Sequence, residues 1–367
     1  MNRSIAILGI RGVPARHGGF ETFAEHFALY LVKRGWNVTV YCQKNGGGSI
    51  REDEWHGVHR VHIPVNLSGA KGTVLFDWKA TVHAAKRGIP VLTLGYNTAV
   101  FCAIYRLRGI KNCINMDGVE WRRKKWNLPE RIWLYVNEKM GAWLGNHLIA
   151  DHPEIKNRLL RFVPADKITV IPYSSDTAGC EDEGYLEPCG LEKNNYVLLV
   201  ARLEPENSIL EIVRAYSIKP RNMPLFILGE YDPASNAYQK QLADAAGEEI
   251  RFAGAVYNKD VVQSLRYFAR FSIHGHTVGG TNPSLVEALG AGSAILAHGN
   301  KFNRWVAAKG AHYFSTETEC AERIELLLRN DDLIVALRKE SIGQFKNHFT
   351  WDKVYPAYEK TIMDTLF

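Results

Sequence analysis

Residues 271–298 read FSIHGHTVGGTNPSLVEALGAGSAILAH. The apolar run Phe271-Ser272-Ile273 predicts a short buried strand, and Gly275, Gly279 and Gly280 mark the loop after it. Asn282 is a good N-cap. Pro283 suits a first helical position, where its missing N–H is not needed, so a helix is expected from Pro283. Gly292 and the apolar run 294–297 then give a second strand, completing one strand, loop, helix, strand unit. The first turn of such a helix aims N–H groups and a partial positive charge back at the glycine loop, a setting that suits phosphate. Glu287, one turn further in, would repel a phosphate in contact with it and is better placed to accept hydrogen bonds from hydroxyls such as those of a ribose. The competing reading is an ordinary crossover helix with a surface glutamate.

The chain around this unit is long enough for two domains: 367 residues, 46% hydrophobic and 23% charged. Its net charge of +6 fits polyphosphate substrates, an anionic membrane surface or nucleic acid. Six cysteines (Cys42, Cys102, Cys113, Cys180, Cys189 and Cys320) form no C-x-x-C pair and no cluster with histidine, so a reduced, cytoplasmic protein is expected. The apolar run 5–10 is too short for a signal-peptide core. Residues 89–105 are broken by Pro90, Gly95 and Asn97 and read as a strand followed by a helix, not as a membrane span.

In the first half, residues 5–8 are a buried strand and residues 11–19 a loop rich in glycine and cations. Phe20, Phe23, Ala24, Phe27 and Leu31 then recur at helical spacing before the strand 37–42, a βαβ opening of the doubly wound kind. A dinucleotide fingerprint is disfavoured, because Arg11 stands where its second glycine belongs and no acidic residue ends the next strand. The alternative use of the loop is to face a ligand with backbone N–H groups and with Arg11 or Arg16, Gly18 and Gly19 allowing close approach. The strands 91–94, 113–116 and 148–150 end in polar loops that a parallel sheet brings to one edge. Arg16, His17, Tyr96, Asn97, Asp151 and His152 are accordingly acceptor-site candidates, with caps and turns as the competing explanation for such residues. Trp121-Arg122-Arg123-Lys124-Lys125-Trp126 reads as a solvated face, a nucleic-acid contact or a seat on anionic lipid headgroups. Nothing else resembles a nucleic-acid module.

Residues 173–195 lack periodicity and contain Gly179, Gly184, Pro188 and Gly190, the composition of a linker. A second alternating β and α domain follows, opening with the strand 196–200 that ends at Arg202. The expected division is a first domain 1–172, linker 173–195, second domain 196–345, and a terminal segment 346–367, helical in spacing with a kink at Pro356.

Two doubly wound domains, a glycine loop after the first strand and a phosphate-ready helix followed by a carboxylate resemble the GT-B glycosyltransferases, most closely the retaining family 4. That family's second-domain pattern is E-x7-E, and residues 277–292 (TVGGTNPSLVEALGAG) are similar to its second half. The resemblance puts Glu287 on the donor's ribose and Gly279 where the first Glu would stand. It puts Arg202 on the diphosphate and Asn207 where a Lys is usual. RGVPARHGGFET, NMDGVEW, ARLEPEN and HGHTVGGTNPSLVEA together look like bacterial polysaccharide-assembly enzymes, including rhamnosyltransferases that use dTDP-L-rhamnose.

The resemblance implies a GT-B fold, two Rossmann-like domains facing across a cleft with a C-terminal helix crossing back, and transfer of a sugar from a nucleotide donor to a saccharide or lipid-linked acceptor. A nucleoside diphosphate leaves without a strong general acid when cations and N–H dipoles hold its charge. Gly18, Gly19, Arg202, Asn207, Gly279, Gly280, Thr281, Asn282, Ser284, Leu285 and Glu287 are the expected donor contacts, with Arg202 catalytic and Arg11 or Arg16 sharing its load. Asp117 and Glu120 are expected to orient the acceptor or act as base, no carboxylate nucleophile being required for retention. No Asp-x-Asp motif is present, so no metal or other cofactor is expected. Peripheral contact with anionic membrane is expected through residues 121–126, and no nucleic-acid partner. Three rivals stand beside this: a nucleotide-sugar epimerase or sugar phosphorylase on the same fold, a non-catalytic scaffold of a polysaccharide assembly complex, and a dinucleotide oxidoreductase.

Overall fold

The computed structural model describes residues 3–16, 18–123, 125–177 and 181–367. His17, Lys124, Gly179 and Cys180, all singled out above, lie outside the described residues. The chain divides into two compact units, Met1–Pro172 with Val354–Phe367, and Tyr173–Lys353.

The first unit's sheet contains β1 (Ser4–Leu8), β2 (Asn37–Asn45), β3 (Arg51–Trp55), β4 (Val58–Val65), β5 (Val91–Leu94), β6 (Asn112–Asn115), β7 (His147–Ala150) and β8 (Ile168–Val170). They lie in the order β3-β4-β2-β1-β5-β6-β7-β8, all parallel except β3, which pairs antiparallel with β4. Ile5, Ala6, Ile7, Val91, Leu92, Leu148 and Ile149 are fully buried, as expected of strands covered on both faces by crossover helices.

The terminal helix Trp351–Leu366 contributes its latter part to this unit. Tyr355 and Tyr358 pack on Phe23, Phe27 and Tyr30 of the helix Gly19–Lys33, with ring centroids 4.5–6.3 Å apart. Glu359 is buried beside them and accepts hydrogen bonds from Tyr30 Oη at 2.9 Å and Trp36 Nε1 at 3.0 Å, with Arg34 Nε at 2.7 Å. Burial pushes that carboxyl up, and the hydrogen bonds from Trp36, Arg34 and Tyr30 outweigh it, so its net pKa is below the ordinary value. Pro356 stands inside the helix, which runs on through it.

The second unit's sheet contains β9 (Val197–Val200), β10 (Leu225–Leu228), β11 (Ile250–Phe252), β12 (Phe271–His274), β13 (Ile295–His298) and β14 (Ala311–Phe314), ordered β11-β10-β9-β12-β13-β14 and all parallel. Counted within the unit, this is the doubly wound 3-2-1-4-5-6 order. Both sheets reverse direction of winding at one place, between β1 and β5 in the first and between β9 and β12 in the second. Ligands of such sheets bind outside the carboxyl ends of the strands that flank the reversal.

The segment 173–195 is not a free connector. Leu186 and Leu191 are buried against Tyr196, Leu198 and Phe268 in the second unit's core. Glycines and polar residues hid the two leucines that anchor it.

Candidate active site

At the second unit's reversal point, Arg202 follows β9 and residues 275–282 follow β12. The Arg202 side chain is 58% exposed and makes only a long ion pair, Nη1 to Glu204 Oε1 at 4.0 Å, which leaves most of the guanidinium open to solvent. Its main chain is fixed: Asn207 Nδ2 donates to the Arg202 carbonyl at 2.7 Å, while Asn207 Oδ1 accepts from His276 Nδ1 at 2.7 Å. The His276 carbonyl accepts from Asn300 Nδ2 at 2.8 Å and Asn303 Nδ2 at 2.9 Å. Thr277 donates to the Glu206 carbonyl through both its N–H and its hydroxyl, each at 2.9 Å. These bonds lace the β9 and β12 loops together. Gly275 permits it, since a Cβ there would come within 2.1 Å of the Asn207 carbonyl.

Asn207, an expected donor contact, holds the two loops in register in this structure. It is buried, and both ends of its amide are committed within the fold. His276, which does the matching work, carried no signal beyond its place in the motif.

The helix Pro283–Gly290 starts as the sequence indicates, Asn282 Oδ1 accepting from the Ser284 N–H at 3.0 Å. This cap uses a donor that was assigned to phosphate. Ser284 Oγ donates to the Val200 carbonyl at 2.9 Å, so Ser284 joins the helix to β9 and does not face a ligand with its hydroxyl. The Leu285 side chain is in the core with Val286, Leu289 and Ile295, and its N–H bonds the Asn282 carbonyl. The N–H groups of Gly280 and Asn282, by contrast, carry no hydrogen bond among the described residues. They lie beside the helix N-terminus, where the dipole favours an anion. Thr281 is buried next to them.

Glu287 keeps 34% of its side chain exposed, and one carboxylate oxygen receives Arg266 Nη2 at 2.7 Å. Arg266, almost fully buried, also donates to Ser284 Oγ at 3.3 Å and Gln263 Oε1 at 3.1 Å. Sequence reasoning missed it, because an arginine inside an amphipathic helix (Lys259–Phe268) reads as a solvated residue. His274 faces a small cavity lined by Val200, Arg266, Ser284 and Ala288; burial pushes its pKa down to about 3, so it is a neutral core imidazole.

Gly279 faces Phe302. A Cβ on Gly279 would lie 2.3 Å from the Phe302 ring, so the ring occupies the direction a side chain would take. Gly279→Glu is thus expected to install no working carboxylate and to cost about 1–3 kcal/mol, as overpacking does. A lowered Tm that Phe302→Ala restores in the double variant would bear this out; an unchanged Tm in the single variant would refute it.

In the first unit, Arg11 and Arg16 are exposed after β1. Gly18 has φ +81° with open space where a Cβ would be, and Gly19 begins the following helix. After β6, Asp117 sits at φ +50°; its N–H donates to Asn115 Oδ1 at 2.9 Å and its Oδ1 accepts from the Gly118 N–H at 2.7 Å. Burial raises the Asp117 pKa, against the Gly118 N–H and the charge of Arg123. Glu120 is nearly buried and paired with Arg123 Nη2 at 2.8 Å, so its charge is already compensated.

Tyr96 and His152, expected acceptor contacts, each also hold a loop or helix end. The buried Tyr96 hydroxyl donates to the Gly118 carbonyl at 3.1 Å and accepts from the Glu120 N–H at 2.9 Å, bracing one loop on the next. His152, 1% exposed, caps the helix Pro153–Leu159 by accepting the Glu154 N–H on Nδ1. Asn97 stays exposed, its carbonyl accepting from Trp133 Nε1 at 2.8 Å, and Asp151 is half-buried. Among the described residues no group of three or more His, Cys, Asp or Glu is placed to hold a metal ion.

Comparison with known proteins supplies the context for this geometry. Residues 188–344 match the family model described as Glycosyl transferases group 1, and residues 2–176 match a domain of unknown function, DUF1972. No curated protein matches. Among solved structures, sucrose-phosphate synthase from Thermosynechococcus elongatus is similar with a TM-score of 0.80 at 14% identity over 99% of both chains. HepE of Anabaena, solved with UDP and glucose, is similar with a TM-score of 0.78 at 14% identity over 99% of this chain and 100% of that one. A glycosyltransferase from Rickettsia africae is similar with a TM-score of 0.73 at 16% identity over 100% of this chain and 99% of that one. The fold is GT-B, and the group 1 domain lies in the second unit.

Proposed function

We propose, from the premise that this chain is a glycosyltransferase with a GT-B fold, that its second unit holds a nucleoside diphosphate sugar and its first unit recognises the acceptor. The observation that carries the reading is the combination of a largely exposed guanidinium, Arg202, with N–H groups of Gly280 and Asn282 that carry no hydrogen bond among the described residues, at the reversal point of the second sheet. A leaving diphosphate develops negative charge as the glycosidic bond breaks, and preorganised donors aimed at that charge lower the barrier. Glu287, steadied by Arg266, takes the ribose hydroxyls with its remaining oxygen. The reaction retains configuration: the acceptor hydroxyl attacks from the side the diphosphate leaves, and a phosphate oxygen takes its proton.

The donor sugar we propose is L-rhamnose carried on dTDP, on the strength of the motif resemblance, and the acceptor a saccharide on a lipid carrier in polysaccharide assembly. Thermal-shift measurements with UDP, GDP, dTDP and ADP test the donor, because a bound nucleotide raises Tm by mass action. A shift with dTDP together with labelled transfer from dTDP-L-rhamnose supports it. A shift with another base alone, or conversion of the donor sugar without acceptor, overturns it. We further propose that transfer needs no metal ion, so activity is expected to survive a chelator; loss that Mg²⁺ restores would refute this.

Asp117 is assigned to orienting the attacking hydroxyl in its ionised form. A hydrogen bond to a charged group contributes about 1.5–3 kcal/mol, so Asp117→Asn is expected to lower kcat/KM by roughly 10- to 100-fold. Because burial raises its pKa, the ionised form is lost as pH falls through a value above the usual carboxylate range. The acid limb of the pH–rate profile should therefore be displaced upward in the native enzyme and disappear in Asp117→Asn. A profile with the same acid limb in both proteins would reject the role.

A further inference from the structure

The helix Leu128–Leu144 carries more of its large apolar side chains outward than inward. Its inner side buries Leu134 together with polar and small residues: Asn137 Oδ1 accepts the Val100 N–H at 2.9 Å, Glu138 pairs with Arg158 and accepts Trp121 Nε1 at 3.1 Å, and Gly141 lies against Ala99 and Met116. Its outward side carries Leu128, Ile132, Trp133, Tyr135, Val136 and Trp143, all exposed, with Leu128 at 69% and Trp143 at 53%. A helix at the surface of a globular protein normally shows the opposite pattern. A contiguous apolar face of this kind marks a surface that something covers.

We infer that this face seats the protein on an anionic lipid bilayer, the apolar side chains entering the boundary between headgroups and acyl chains. Charge favours this occupant. Arg122, Lys125, Arg131 and Lys139 lie on or beside the helix, and among the described residues none of them is paired with a carboxylate. Of the nearby acids, Glu138 is neutralised by Arg158 and Glu120 by Arg123, while Glu130 is held in the capping box with Asn127. Indoles and aliphatics on one face with cations at its border is the composition of a helix lying in the membrane interface. No helix among the described residues is long and apolar enough to cross a membrane, so attachment through this face is of the interfacial kind.

The apolar part of the contact lies on the helix, while the run 121–126 supplies cations at its border. Trp121 stacks with Arg122 and Arg158 at 5.2 and 5.0 Å and hydrogen-bonds Glu138, and the Trp126 Nε1 is buried. These indoles are half-buried; the cations beside them border the apolar face. That face adjoins the candidate acceptor loop, since Trp133 Nε1 donates to the Asn97 carbonyl. A bilayer bound there presents lipid-linked saccharides next to Asn97. The inference thus deepens the lipid-linked acceptor reading, and its test uses vesicles without acceptor so that the two fail separately.

Co-sedimentation of the full chain with phosphatidylcholine vesicles, and with vesicles also containing phosphatidylglycerol, reads the contact. Binding is expected to the anionic vesicles, weakened by salt. Lys125→Gln with Arg131→Gln should lower it roughly 30-fold at about 1 kcal/mol per cation. Ile132→Asp with Val136→Asp should abolish it while leaving the Tm shift by nucleoside diphosphates in place, which shows the variant folded. Absence of vesicle binding by the native protein overturns the inference. Equal binding by native protein and the Ile132→Asp/Val136→Asp variant overturns it as well. So does a dimer in sedimentation velocity that this variant dissolves, which would assign the face to a second copy of the chain.

Discussion

Arg202→Ala is expected to lower kcat by an amount corresponding to about 2–4 kcal/mol of transition-state stabilisation, the range found when one preorganised charge-stabilising group is removed. The size of the effect follows from the charge that Arg202 alone contributes from the end of β9. Asn207 stands where a second cation is usual in the resembling family, and its amide is consumed between the Arg202 carbonyl and the His276 ring. The N–H groups of Gly280 and Asn282 at this edge of the sheet bring dipoles but no full charge. Arg202→Lys should recover part of the loss, because a point charge returns without the guanidinium fork. If the loss falls on kcat and the nucleotide dissociation constant changes less, the interaction belongs to the departing diphosphate and not to the ground state. Full activity in Arg202→Ala would remove the phosphate assignment.

The parts of the molecule that were legible in the sequence are those in which a local pattern has one physical solution. Residues 271–298 form a strand, a glycine loop, a helix capped by Asn282 with Pro283 at its first position, and a second strand. Runs such as 197–200 and 225–228 read as buried parallel strands because crossover helices leave neither face to water. The hairpin of β3 and β4 was not legible: Arg51-Glu52-Asp53-Glu54 is an exposed edge whose alternation carries no apolar residue. The helix Gly69–Arg87 was missed for a related reason, since its buried face rests largely on small residues, Gly72, Ala80, Ala84 and Ala85. Within the site, residue types pointed to the region and not to the roles. Asn207, Ser284, Tyr96 and His152 are polar and near the strand ends, yet each spends its hydrogen-bonding capacity on holding a loop or a helix end. Sequence spacing registers that such a residue is present; which partner satisfies it is decided by tertiary contacts.

Arg266 carries the second large expectation, and it separates support from contact. The guanidinium is buried under the first turn of the helix Pro283–Gly290, spanning Glu287, Ser284 and Gln263. Arg266→Met keeps comparable length and packing while removing the charge. Breaking a buried ion pair from one side costs roughly 3–5 kcal/mol, and the lower end, about 3 kcal/mol, applies here because Glu287 can still turn to water. The loss should appear as a lower midpoint in urea with an unchanged slope. Nucleotide affinity should fall as well, since Glu287 loses the partner that orients it. Glu287→Gln, by comparison, is expected to weaken nucleotide binding with a smaller effect on stability. The double variant should be less destabilised than the sum of the two, because each single change removes the same pair. Strict additivity, or an Arg266→Met protein as stable as the native one, would mean that the two side chains do not act together and that Glu287 finds its orientation elsewhere.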